Sequence, residues 1–102
     1  MADTLIPTLP PKERLILELL VSSGALYGLE LVERSDGGLK RGTVYVTLGR
    51  MEAKGFLTSE QEEMPEGAIG LPRRRYRPTG LGERALRAWS LYTQELRLEV
   101  QT

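Results

Sequence analysis

RGTVYVTLGRMEAKG, residues 41–55, repeats large apolar side chains at Val44, Leu48 and Met51, the i, i+4, i+7 spacing of one helix face. The spacing predicts a helix from about Arg41 to Lys54, closed by Gly55. Its opposite face carries Thr43, Val46, Thr47, Arg50 and Lys54, with Glu52 off to the side. That face is poor in acid and rich in groups that donate or accept hydrogen bonds.

Two further helices are legible upstream. Pro10-Pro11 opens a segment with Leu15, Ile16, Leu19 and Leu20 at helical spacing, and Ser22-Ser23-Gly24 stops it. After the joint Ala25-Leu26, residues Tyr27 to Arg34 form the second helix, with Leu31 and Val32 inward and Ser35-Asp36-Gly37-Gly38 as the turn that follows. Downstream, Phe56 to Glu62 and Arg73 to Thr79 read as strands of a long-looped hairpin. Thr79 can cap a last helix, from about Gly80 to Val100, in which Ala85, Trp89, Tyr92 and Leu96 make a stripe that needs a partner surface. The first eight residues and the last two are expected to be loosely held.

The 102 residues can bury one modest core. No cysteine and no histidine is present, which removes disulfides, thiolate zinc sites, cysteine nucleophiles and the commonest general acid and base. No metal, no cofactor and no enzymatic activity are expected. Glu60, Glu62, Glu63 and Glu66 cluster, but a solvent-facing hairpin offers no concavity to desolvate carboxylates for hydrolysis. Neither a signal peptide nor a membrane span fits the short, interrupted apolar runs, so a cytoplasmic location is expected.

Fourteen basic residues offset fourteen acidic ones, yet their placement is uneven. Residues 37–58 hold four basic and one acidic, and residues 67–87 six basic and one acidic. Three helices, a glycine-containing turn between the second and third, and then a β-hairpin is the order of a winged helix-turn-helix, and the two positive blocks fall on the parts that fold presents to a duplex. The fold class expected is therefore α+β, mainly α: three helices plus a β-hairpin wing over residues 8–79, and a C-terminal dimerisation helix over 80–102.

Several motifs together resemble the PadR-like transcriptional regulators, over about Leu15 to Trp89. They are the Leu-Ile-Leu-Glu-Leu-Leu run (15–20), Tyr27-Gly28, Gly42-Thr43-Val44-Tyr45, Leu48 through Leu57, and Arg75-Tyr76-Arg77-Pro78-Thr79 with Gly82 close behind. The resemblance implies a winged-helix homodimer, usually a repressor, whose C-terminal helix forms much of the dimer interface, and in some relatives an effector pocket. Double-stranded DNA and a second copy of the chain are then the expected partners, with a pseudo-palindromic operator as the target.

In that setting the helix at 41–54 enters the major groove and the wing at 56–79 lies on the flanking backbone. Thr43 and Thr47 address base edges or phosphates, Arg50 a phosphate or a guanine, and Arg41 and Lys54 hold phosphates. Tyr45 reads either as a phosphate contact or as a core-edge tyrosine. In the second wing strand, alternation sends Arg73, Arg75 and Arg77 to one face and Arg74 and Tyr76 to the other. Arg73, Arg74 and Arg75 are assigned to DNA, and Arg77 to pairing with Glu60, Glu62 or Glu63.

The loop Met64 to Leu71 is acidic and apolar, which argues against its insertion into the minor groove. Leu39-Lys40-Arg41-Gly42 lacks a good capping residue, so the first helical turn is expected to order on phosphate. Ala85, Trp89, Tyr92 and Leu96 are assigned to a dimer interface; a sharper reading stacks a small planar effector between two Trp89 side chains. The competing reading of the whole chain is a winged-helix protein-protein interaction module that binds no DNA.

Overall fold

The computed structural model describes residues 9–67, 70 and 72–101, with side chains as far as Leu96. Residues 1–8 and 102, and the wing-loop positions 68, 69 and 71, lie outside the described residues. Along the chain run α1 (Pro11–Ser23), β1 (Leu26–Tyr27), α2 (Gly28–Arg34), α3 (Val44–Ala53), β2 (Leu57–Gln61), β3 (Arg74–Pro78) and α4 (Gly80–Gln101).

α1 starts on Pro11, whose fixed φ and missing N–H suit a first helical position. It buries Ile16, Leu17 and Leu20 completely, and Gly24, at φ 91°, ends it with its N–H on the Leu20 carbonyl at 2.6 Å. The joint expected at Ala25-Leu26 is instead the start of a third strand. Leu26 pairs with Tyr76 and Tyr27 with Arg75, so the sheet order is β1-β3-β2. A two-residue strand has no periodicity to read; its pairing covers the edge of β3 that β2 leaves open. α2 therefore begins at Gly28, with the Tyr27 N–H held by the Glu30 carboxylate at 2.9 Å.

Between α2 and α3 the Ser35 hydroxyl donates to the Val32 carbonyl and accepts from the Leu39 N–H, at 2.8 and 2.9 Å. Asp36 and Gly37 take positive φ, and the turn drives Leu39 into the core. α3 starts at Val44, later than the periodicity suggested, because Arg41 to Thr43 form a turn and Thr43 makes no side-chain cap. Its C-terminus is a Schellman motif: Phe56 N–H bonds to the Met51 carbonyl and Gly55 N–H to that of Glu52, both at 3.0 Å, with Gly55 at φ 83°.

Thr79 caps α4 as expected, accepting from the Gly82 N–H at 3.0 Å, while its hydroxyl donates to the Gly55 carbonyl at 2.6 Å. Gly82 has no room for a side chain, since a Cβ there would run into the Phe56 carbonyl oxygen. The core lies among α1, α2, α3 and the sheet, with Leu31, Val44, Leu48, Met51 and Leu57 at its centre and Tyr76 closing it from β3. Ala85 belongs to this core, so the first turns of α4 are part of the same packed unit. No helix among the described residues is long and apolar enough to cross a membrane.

Candidate nucleic-acid interface

α3 turns Val44, Leu48 and Met51 inward and leaves Tyr45, Val46, Gly49 and Arg50 in solvent. Val46 is the most exposed of the large apolar side chains on this helix. Arg41, Gly42 and Thr43 are exposed in the turn just before it. Thr47 is a correction. It is only 7% exposed and its hydroxyl donates to the Thr43 carbonyl at 3.3 Å, because position 47 lies three residues after Val44 and four before Met51, on the buried side of the helix.

Tyr45 lies across Gly28. A Cβ at position 28 would sit 2.5 Å from Tyr45 Cε1, so the absent side chain is what lets the ring rest on the α2 backbone. The ring stays half in solvent, so the tyrosine packs and is accessible at once. Beside it a notch of about 560 Å³ opens between α2 and the start of β3, bordered by Tyr27, Glu33, Pro72, Arg73 and Arg74.

At the other end of α3, Lys54 departs from expectation. Its ammonium donates to both oxygens of Glu13, at 2.8 and 3.1 Å, and stands 5.8 Å from the Phe56 ring. Arg50 is 4.0 Å from the same carboxylate. Glu13 is 1% exposed, so the Lys54 ammonium neutralises a buried anion while its side chain as a whole stays 37% exposed. Sequence reasoning passed over Glu13, although it stands three, four and seven residues before Ile16, Leu17 and Leu20 and so shares their face.

The wing arginines sort differently from expectation. Arg75 donates to the Tyr27 hydroxyl at 2.6 Å and to Glu62 at 3.2 Å, Arg73 is 3.6 Å from Glu62, and the Tyr27 hydroxyl itself donates to Glu62. The guanidinium carbons of Arg73 and Arg75 lie 4.4 and 4.8 Å from the Tyr27 ring centroid. The bond to Tyr27, foremost, holds the Arg75 guanidinium above its ordinary pKa. Arg77, assigned to pairing, makes no ion pair within 4.0 Å among the described residues, because the register sets it opposite Thr58 while Arg75 faces Glu60.

Arg74 is on the opposite face, bonded to Ser59 Oγ and Gln61 Oε1 at 3.0 and 3.1 Å. Ser59 in turn donates to Glu52 on α3 at 2.7 Å, so strand and helix are tied side chain to side chain. Tyr76, beside it, is buried, and burial pushes its phenol above the ordinary value, keeping it neutral.

On α4, Ala85 is removed from any partner surface by its place in the core. Trp89 is half-buried with its indole Nε1 shielded and without a hydrogen-bond partner among the described residues. It lines a groove of about 460 Å³ between α1 and α4 with Arg14, Glu18, Ser90, Thr93 and Gln94. Its ring centroid is 6.0 Å from that of Tyr92. Leu91, Tyr92 and Leu96 are exposed on the outer turns, and Leu81 is exposed on the first.

Residues 16–88, well over half of the chain, match the model of the transcriptional regulator PadR-like family. No curated protein sequence matches. Among solved structures, the chain is similar to a PadR-like transcription factor from Bacteroides fragilis, with 26% identity and a TM-score of 0.75 over 86% of this chain and 84% of that one. A PadR family regulator from Eggerthella lenta is 28% identical, with a TM-score of 0.67 over 88% and 81% of the two chains. One from Clostridium difficile is also 28% identical, with a TM-score of 0.66 over 90% and 93%.

Proposed function

Since the chain belongs to the PadR-like family of transcriptional regulators, and so is a DNA-binding regulator rather than an enzyme, we infer that it acts in the cytoplasm as a homodimeric repressor on a pseudo-palindromic operator. The observation that carries this reading is the outward side of α3. Arg41 and Thr43 in the turn before α3, with Tyr45, Val46 and Arg50 on it, present donors, an apolar tip and positive charge, while the exposed Glu52 is turned to Ser59 of the wing. Arg73, Arg74 and Tyr45 border one notch, with Glu30 and Glu33 on its other wall, and Arg75 is bonded to Tyr27 at its edge.

In the major groove, Val46 suits a thymine methyl and Arg50 the O6 and N7 acceptors of guanine. Thr43, Arg41 and the Tyr45 hydroxyl reach phosphates, and the wing arginines grip the strand beside them. Residues 8–79 form the reading unit. Residues 80–102 pair two protomers through the outer turns of α4, where Tyr92, Leu96 and Leu91 are exposed, with Trp89 at the edge. The shielded, unpartnered indole of Trp89 beside its groove supports the same place for a small planar effector.

Selection of bound duplexes from a random DNA pool tests the reading. Enrichment of a two-fold symmetric motif, with half-sites about 34–36 Å apart, is the expected result. No enriched motif would turn the assignment toward a protein-interaction module.

A further inference from the structure

Glu13 is a charged side chain in a position where an apolar one would complete the buried face of α1. Burying a carboxylate there is unfavourable compared with a well-packed hydrocarbon, so the fold gains little from it. What the carboxylate does is occupy cations. Both its oxygens accept from Lys54, and Arg50 is 4.0 Å away, while the Lys54 and Arg50 side chains remain 37% and 56% exposed. Those two cations stand on the last turn and C-cap of the helix that carries the outward reading face.

We propose that Glu13 is a specificity-determining residue: it withholds Lys54 from the phosphate backbone and restrains Arg50 for base reading. This rests on the regulator reading above. A free lysine at the end of α3 would add a contact to every duplex regardless of sequence, because phosphates carry no base information. An arginine drawn to one side by a carboxylate 4.0 Å away loses less freedom when it docks on a guanine. The buried carboxylate thus lowers affinity for every duplex through Lys54 and favours the operator through Arg50. The chain's zero formal charge is consistent with a protein that limits indiscriminate attraction to DNA.

The test measures binding of the full chain to a selected duplex and to a random-sequence duplex of equal length, across roughly 50 to 200 mM salt. Glu13→Gln should steepen the log-log salt slope by about 0.9 per protomer, so that for a dimer its gain over the parent on random DNA is about tenfold larger at the low-salt end of that range than at the high-salt end. The preference for the selected duplex should fall. The double variant Glu13→Gln with Lys54→Gln removes the ion pair as a unit and should return the slope to that of the parent.

A Glu13→Gln protein with the parent's slope and preference overturns the proposal. So does a double variant whose slope is shallower than the parent's by about 0.9 per protomer, since Lys54 would then already hold a phosphate. The double variant decides even if Glu13→Gln alone does not fold. A parent that binds neither duplex removes the regulator reading and this inference with it, whereas a parent that binds both isolates the failure to Glu13.

Discussion

Two carboxylates hold basic side chains beside the proposed reading surface, and they do so under opposite conditions. Glu13 is 1% exposed and takes Lys54 and Arg50; Glu62 is 38% exposed and takes Arg73, Arg75 and the Tyr27 hydroxyl. The same chemistry has different consequences at the two ends. Around Glu13, water cannot replace a lost cation, so the pair is coupled to folding. Around Glu62, solvent screens both charges and substitutes for either, so the cluster is an adjustable contact that a phosphate oxygen can take over.

The largest effect should come from Lys54→Met. It leaves Glu13 buried with only Arg50 at 4.0 Å, and denaturant unfolding should show a loss of about 3 kcal/mol, the low end for a broken buried pair. A loss under about 1 kcal/mol would mean the two carboxylates do not differ in kind.

Next, Arg50→Ala should cost about 1–3 kcal/mol on a selected duplex and less on a random one, measured by anisotropy titration. Equal losses on both would make it a phosphate contact and weaken the case that Glu13 restrains a base reader.

Tyr27→Phe removes the hydroxyl that links Glu62 to Arg75 and should lower stability by about 1 kcal/mol in thermal unfolding, the worth of one partly buried hydrogen bond. Smallest of all, Glu62→Gln should change stability by less than about 1 kcal/mol, as expected of an exposed pair. It should nonetheless tighten binding to random DNA by freeing Arg73 and Arg75. If it destabilised the fold as much as Lys54→Met, the contrast between the two ends would fail.

Much of this architecture was legible because it is periodic. α1, the inward stripe of α3 and the Thr79 cap of α4 each follow from spacings within a few residues of one another. What depends on a distant partner was not legible. The two residues of β1 exist only because β3 lies beside them. Alternation correctly put Arg73, Arg75 and Arg77 on one face, but which of them meets a glutamate depends on the hairpin register, and the long connection between the strands leaves that unspecified. Thr47 and Ala85 were assigned outward or to a partner on residue type and spacing, whereas α3 and α4 are rotated so that both are buried. Glu13 was the signal left unread: a charged residue in phase with an apolar stripe implies a buried counter-charge elsewhere in the chain.

The junction at Thr79 has a mechanical consequence. It is the single residue between β3 and α4, and it is fastened through its hydroxyl to the carbonyl that follows α3, with Gly82 seated on the Phe56 backbone next door. With no slack between them, the two helices behave as arms of one lever with its fulcrum at these few atoms. Were two copies to pair through α4, a tilt of that helix would be passed to α3 through this joint. The distance between two half-sites would then be a property of this joint, not of a tether's length.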